Sequence, residues 1–121
     1  LGIDGYNFGT SAKDSHWKSF EETFRTAYDA VVRRAPNKPI LIGEMSSSET
    51  GGNKAAWIRE MYRVLPSMPN IRAITWFDTL KETSWNVDSS DEAWLAMLEG
   101  LRLPWMRGNG EAMAKVIKPE R

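Results

Sequence analysis

Lys38-Pro39-Ile40-Leu41-Ile42-Gly43-Glu44-Met45-Ser46-Ser47-Ser48 is the stretch whose reading decides the fold. Pro39 suits the first position of a strand, where its missing N–H removes no ladder bond. Ile40, Leu41 and Ile42 form an unbroken apolar run, as in parallel strands covered on both faces. Gly43 lets another group approach the backbone closely. Glu44 then closes the strand at its C-terminal end, ahead of a Ser/Thr/Gly loop. Ligands and catalytic groups of α/β sheets and barrels collect at that end. Glu44 is therefore a functional candidate; the same spacing also fits a plain surface carboxylate at a strand end.

Upstream of this strand, Ser19 with Glu22 three residues on has the form of a capping box. Phe20, Phe24, Ala27, Tyr28, Val31 and Val32 then repeat at helical spacing, and Ala35-Pro36-Asn37 ends the helix. Leu1 to Asn7 reads as a strand running into the polar-aromatic turn Asp4-Gly5-Tyr6-Asn7. Because it looks like a strand met midway, Leu1 is not expected to be the natural start of the fold. Downstream, Asn53 is a cap for a second helix with Ile58, Met61, Tyr62 and Leu65 on its buried face, Trp57 at the edge of that face, and Pro66 at its end. Ile71 to Phe77 alternates as a further strand, placing Trp76 on the face of Ile74 and Arg72. Asp78 to Val87 is a loop carrying Trp85. Ser89 with Glu92 repeats the capping-box pattern, and Trp94, Met97, Leu98 and Leu101 mark the apolar face of a third helix. Ala112 to Ile117 reads as a short helical or disordered end, and Lys118 to Arg121 as a fraying terminus.

Strand and helix thus alternate three times, which implies parallel strands joined by right-handed crossovers. No glycine-rich phosphate loop follows any strand. Gly51-Gly52-Asn53-Lys54 lacks the preceding glycine of such a loop and reads as a helix start, which argues against a nucleotide-binding doubly wound sheet. The remaining architecture is part of a (β/α)8 barrel; a full barrel needs roughly 250 residues, and the 121 residues here are about half of that. The expected organisation is a barrel portion over 1–103, about its last three β/α units, and an irregular tail over 104–121.

Composition narrows the partners. Sixteen basic and sixteen acidic residues cancel, so no charge footprint points to nucleic acid or an anionic membrane. The absence of Cys excludes disulfides and thiolate metal sites. His16 is the only His, which excludes a His-rich metal site; it reads as a solvated loop residue. No apolar run reaches the roughly 18 residues of a membrane span, and no signal peptide is visible. Six Trp, three Tyr and four Phe are many for this length. Such rings fill cores, and they also stack on the apolar C–H faces of sugars.

Three strand ends carry a constellation: Asp4-Gly5-Tyr6-Asn7, Gly43-Glu44 and Trp76-Phe77-Asp78. Together with Trp17-Lys18-Ser19-Phe20, Lys38-Pro39-Ile40, Gly51-Gly52-Asn53-Lys54-Ala55-Ala56-Trp57-Ile58 and Trp85-Asn86-Val87-Asp88-Ser89-Ser90, they resemble the C-terminal part of glycoside hydrolase family 26. This family holds β-mannanases and related β-glycanases within the clan of retaining (β/α)8 glycosidases. The resemblance runs from residue 1 to about 101. It implies Glu44 as catalytic nucleophile, Trp76 as the aromatic flooring the sugar site, and Tyr6 as a hydrogen-bond partner near the nucleophile. Asn7, Asp78 and Trp85 are implied as further contacts to substrate. It implies no cofactor and no metal, a β-linked plant-type polysaccharide as substrate, and secretion. The family's acid/base Glu, after the fourth strand, has no counterpart here; Glu49 and Glu82 are the loop carboxylates that could reach the site. Three readings stay open: a retaining glycosidase of β-mannanase type, a non-catalytic carbohydrate-binding half-barrel, and a small α/β domain whose Trp residues are only core. An isolated half-barrel would expose two sheet edges, so a homodimer completing the barrel is expected.

Overall fold

The computed structural model describes residues 1–108. Strand β1 (Gly2–Asn7), helix α1 (Phe20–Arg34), strand β2 (Ile40–Ser47), helix α2 (Lys54–Val64), strand β3 (Ile71–Trp76) and helix α3 (Asp91–Leu101) alternate. Short 3₁₀ turns follow α2 at Leu65–Ser67 and α3 at Pro104–Met106. The strands form one parallel sheet in the order β1-β2-β3. This is the α/β arrangement of successive β/α units read from the sequence. The expected helix at Ala112–Ile117 and fraying end at Lys118–Arg121 lie outside the described residues.

α1 starts as its sequence dictates. The Ser19 side chain accepts from the Glu22 N–H at 3.1 Å, and Glu22 accepts from the Ser19 N–H at 2.8 Å. A second carboxylate joins them from α2: Glu60 accepts the Phe20 N–H at 2.6 Å. Negative charge at this end also suits the helix dipole. Phe20, Phe24 and Tyr28 are buried, whereas Ala27 on the same expected face is exposed. α2 is capped by Asn53, whose side chain accepts the Ala56 N–H at 2.8 Å. Trp57, expected at the edge of its face, lies within the core at 2% exposure.

One core joins Ile3, Ile40, Ile42 and Met45 of the sheet to the buried faces of all three helices. The opposite face of the sheet carries Asp4, Leu41, Glu44, Ala73 and Thr75, all exposed. The expectation that β2 is covered on both faces is therefore corrected. Among the described residues the helices cover one face, and Leu41 in the middle of the apolar run is 43% exposed.

α3 departs most from its sequence pattern. Its cap is Ser90, which accepts the Ala93 N–H at 3.1 Å. Ser89 is instead engaged by side chains from elsewhere: it donates to Glu49 and accepts from Lys54. The buried face is Ala93, Ala96, Met97 and Gly100, while Trp94 and Leu101 of the expected stripe are exposed. The reason is close approach to α2. A Cβ on Gly100 would lie 1.9 Å from the Tyr62 ring, and the Tyr62 hydroxyl reaches Met97 Sδ at 3.0 Å. Small residues, not large ones, define this helix–helix contact. Trp105 leans on Tyr62 with ring centroids 6.2 Å apart but stays 47% exposed.

Glycine in a helix interior ordinarily gains stability on change to Ala. At position 100 the sign reverses: Gly100→Ala is expected to lower stability by about 1–3 kcal/mol through overpacking. The check is the urea midpoint of the variant against the parent chain.

Candidate active site

The geometry starts from an irregularity in β2. Against β1 the register runs Ile3↔Ile42 and then Asp4↔Glu44; against β3 it runs Ile42↔Ile74 and then Met45↔Trp76. The one extra residue at Gly43-Glu44 forms a bulge, which re-aims side chains and often lies beside functional sites. Ile40, Ile42 and Met45 all point into the core despite their uneven spacing, and Glu44 is turned to the open face. Asp4 of β1 fixes the bulge by accepting the Glu44 N–H at 2.9 Å. A Cβ on Gly43 would sit 2.9 Å from that same Asp4 oxygen.

Tyr6, two residues along β1 from Asp4, donates its hydroxyl to Glu44 Oε2 at 2.5 Å. This charge-assisted contact is the shortest class of hydrogen bond. Oε1 of Glu44 makes no hydrogen bond of its own among the described residues. Three rings flank the half-buried phenol. Its centroid lies 5.7 Å from Phe77, 5.2 Å from Trp85 and 6.1 Å from Phe8, and Phe8 meets Trp85 edge-on at 4.9 Å. Burial pushes the Tyr6 phenol well above its ordinary value. The hydrogen bond to Glu44 and the negative charges of Glu44, Asp4 and Glu82 push in the same direction. Tyr6 is thus fixed as a donor. Beside it a cleft of about 260 Å³ opens, lined by Tyr6, Phe8, Lys13, Asp14, His16 and Lys18 among others.

Of the residues singled out in the sequence, Glu44, Tyr6 and Trp85 come together here. Trp85 does so as a buried wall at 1% exposure, with its indole N–H donated to Glu82. Trp76 is turned the other way, partly buried on the helix side. It meets Trp57 edge-on at 6.1 Å and donates its N–H to the Trp85 carbonyl at 2.8 Å. Phe77, the next residue, takes the place on the open face beside Tyr6. Asn7 is fully buried. Its amide donates to Ser47 Oγ, and its carbonyl oxygen accepts from the Gly9 and Lys18 N–H groups, so it organises the β1–α1 loop. Asp78 accepts the Val87 N–H at 2.7 Å and ties down the β3–α3 loop.

The two spare loop carboxylates are both engaged by the β3–α3 loop. Glu49 accepts from Ser89 Oγ at 2.7 Å. Glu82 is held below the usual carboxylate range, chiefly by the Trp85 N–H, whereas a general acid needs its proton retained. Asp4 and Phe77 are contributors that sequence reading did not assign. The signal for Phe77 was its place one residue beyond Trp76, on the opposite face of the strand.

Ionisation of Tyr6 has a readable consequence for stability. Below pH about 10, folded and unfolded chains both hold the phenol proton and its contribution is whole. Above that the unfolded chain releases the proton first, so stability is expected to fall as pH rises. Tyr62, pushed up to about 12 by burial, acts in the same sense. Tyr6→Phe should flatten the alkaline limb in part, leaving the share of Tyr62; denaturant midpoints between pH 8 and 11 test this.

No family model matches the chain. In sequence it is similar to Endoglucanase H of Acetivibrio thermocellus, with 46% identity over 101 residues. That match covers 82% of this chain, and the chain spans 11% of the length of that protein.

Proposed function

We propose that this chain is the nucleophile-bearing portion of a retaining glycoside hydrolase of the endo-β-glycanase kind, with residues 1–103 as the C-terminal part of a (β/α)8 catalytic domain of the β-mannanase-like family 26. The observation that carries the reading is Glu44 on the open sheet face, turned out by the bulge and gripped at Oε2 by Tyr6. The similarity to a protein named as an endoglucanase supports the same class.

In this reading Oε1 of Glu44 attacks the anomeric carbon. Charge leaves that oxygen as the glycosyl bond forms, and the leaving sugar departs through an oxocarbenium-like transition state. Tyr6 holds the second oxygen and so sets the direction of attack. Phe77 and the edges of Tyr6 and Phe8 give the ring-shaped substrate an apolar wall; Trp85 and Trp76 back that wall. Asp78 and Asn7 act by shaping the loops. The general acid, which a retaining enzyme holds about 5–5.5 Å from the nucleophile, comes from β/α units outside these residues or from a second copy closing the barrel against the open face. A β-linked plant-type polysaccharide is the proposed substrate, and secretion the proposed setting.

Nucleophile and acid can be tested separately. A 2-deoxy-2-fluoro glycoside with a dinitrophenolate leaving group needs no acid to react, and the fluorine slows release of the glycosyl-enzyme. Incubated with mannosyl and cellobiosyl forms, the chain should gain the mass of one fluoroglycosyl group, mono- or disaccharide respectively, on the peptide containing Glu44, and Glu44→Gln should gain none. The sugar that labels faster identifies the substrate class. Binding of oligosaccharide without labelling would instead favour a carbohydrate-binding half-barrel.

A further inference from the structure

Lys54 is an improbable residue where it stands. It is the first residue of α2, where the helix dipole opposes a cation, and it is fully buried. An ammonium there is tolerated only when all its donors are met. They are: Nζ donates to the Asn86 carbonyl at 2.6 Å, to Ser89 Oγ at 2.8 Å and to the Ser84 carbonyl at 3.3 Å. The indole of Trp76 lies over the same charge, 5.6 Å from Nζ to the ring centroid.

All of these partners belong to β3 and the β3–α3 loop, and they bracket one residue. Ser84 and Asn86 flank Trp85, whose own carbonyl accepts from Ser46 Oγ and from the Trp76 N–H. Three successive carbonyls are therefore held from the helix side. The Trp85 ring is thereby driven across onto Tyr6 and Phe8, and Tyr6 is the donor to Glu44.

We propose that Lys54 is the positioning residue of the site: by gripping the backbone on both sides of Trp85 it seats that ring against Tyr6, and so holds the Tyr6–Glu44 pair in register. Lys54 touches no group that would meet substrate. Burial lowers it to about 8, against the opposing pull of Glu49, Asp78 and Asp88. Its charge is thus retained near neutral pH despite the site it occupies. The bearing on catalysis rests on Glu44 being the nucleophile proposed above, whereas the seating of Trp85 and Tyr6 is measurable without it.

The experiment compares the full 121-residue chain with Lys54→Met and with the milder Ser89→Ala. Backbone hydrogen exchange is read over 84–89 and over β2, and the Tyr6 phenol is titrated by tyrosinate absorbance with Tyr6→Phe as the assigning control. In Lys54→Met, exchange over 84–89 should rise by about tenfold or more, the loss expected for hydrogen bonds to a charged group. β2 should be unchanged, and Tyr6 should ionise at lower pH than in the parent. Ser89→Ala should move both readouts the same way by less, and it carries the test if Lys54→Met does not fold. Parent-like exchange with an unmoved phenol in every variant that folds would overturn the proposal. If both readouts move while fluoro-sugar labelling of Glu44 is absent even in the parent, the positioning role stands and the glycosidase reading falls.

Discussion

β2 has to satisfy two neighbours at once, and the extra length at Gly43-Glu44 is what lets it do so. A regular strand would alternate strictly, so that Ile42 and Met45 could not both face the helices. The bulge resets the alternation within one step. The core keeps its apolar residues, and the sheet gains a carboxylate on its open face. Asp4 makes this geometry durable because it occupies the Glu44 N–H that the irregular register frees. The position of the candidate nucleophile and the continuity of the core are thus one constraint.

Beyond the bulge, the C-terminal ends of the strands are finished with polar groups kept out of water. Asn7, Ser46, Ser47, Ser48 and Lys54 are all fully buried, and no buried side-chain polar atom among the described residues lacks a partner. Ser47 accepts from Asn7, Ser46 reaches the Trp85 carbonyl, and Ser48 reaches the Phe8 and Thr50 carbonyls. Ser46 thus ties β2 to the β3–α3 loop, and Ser47 and Ser48 tie the end of β2 and the residue after it to β1 and the loop that follows β1. A buried polar network of this kind specifies one arrangement of loops, because any slip leaves a donor or acceptor unmet.

How much of this was legible in the sequence depends on whether the signal was local. The α1 capping box, the Asn53 cap and the order of strands and helices follow from neighbouring residues, and the structure has them. The α3 face did not follow, because large residues dominate a periodicity reading, whereas Ala93, Ala96 and Gly100 let the helix approach Tyr62. Ser89 with Glu92 read as the cap, but a lysine 35 residues away took its hydroxyl and Ser90 caps the helix instead. Glu44 and Tyr6 were readable as strand-end residues, and their contact is now visible. The orientation of Trp76 was not readable beyond the alternation it shared with Ile74, because the alternation does not say which face the helices cover. Lys54 carried a faint signal, a cation directly after a helix cap, that gains meaning only once its partners are seen.

Several of the hydrogen bonds that join the β/α units have a long reach. Tyr6 to Glu44 spans 38 residues, Asn7 to Ser47 and Phe20 to Glu60 span 40, and Lys54 to Asn86 spans 32. Each of these four crosses from one β/α unit to the next, whereas the bonds inside the β3–α3 loop, such as Trp76 to Trp85, are local. Long loops must close before such contacts return any free energy, which places them late in folding. For a chain emerging from the ribosome, the carboxylate and its phenol can meet only after β2 has left the exit tunnel. Their aromatic backing waits further, for the loop beyond β3. The site is therefore assembled vectorially, as the last product of several completed crossovers.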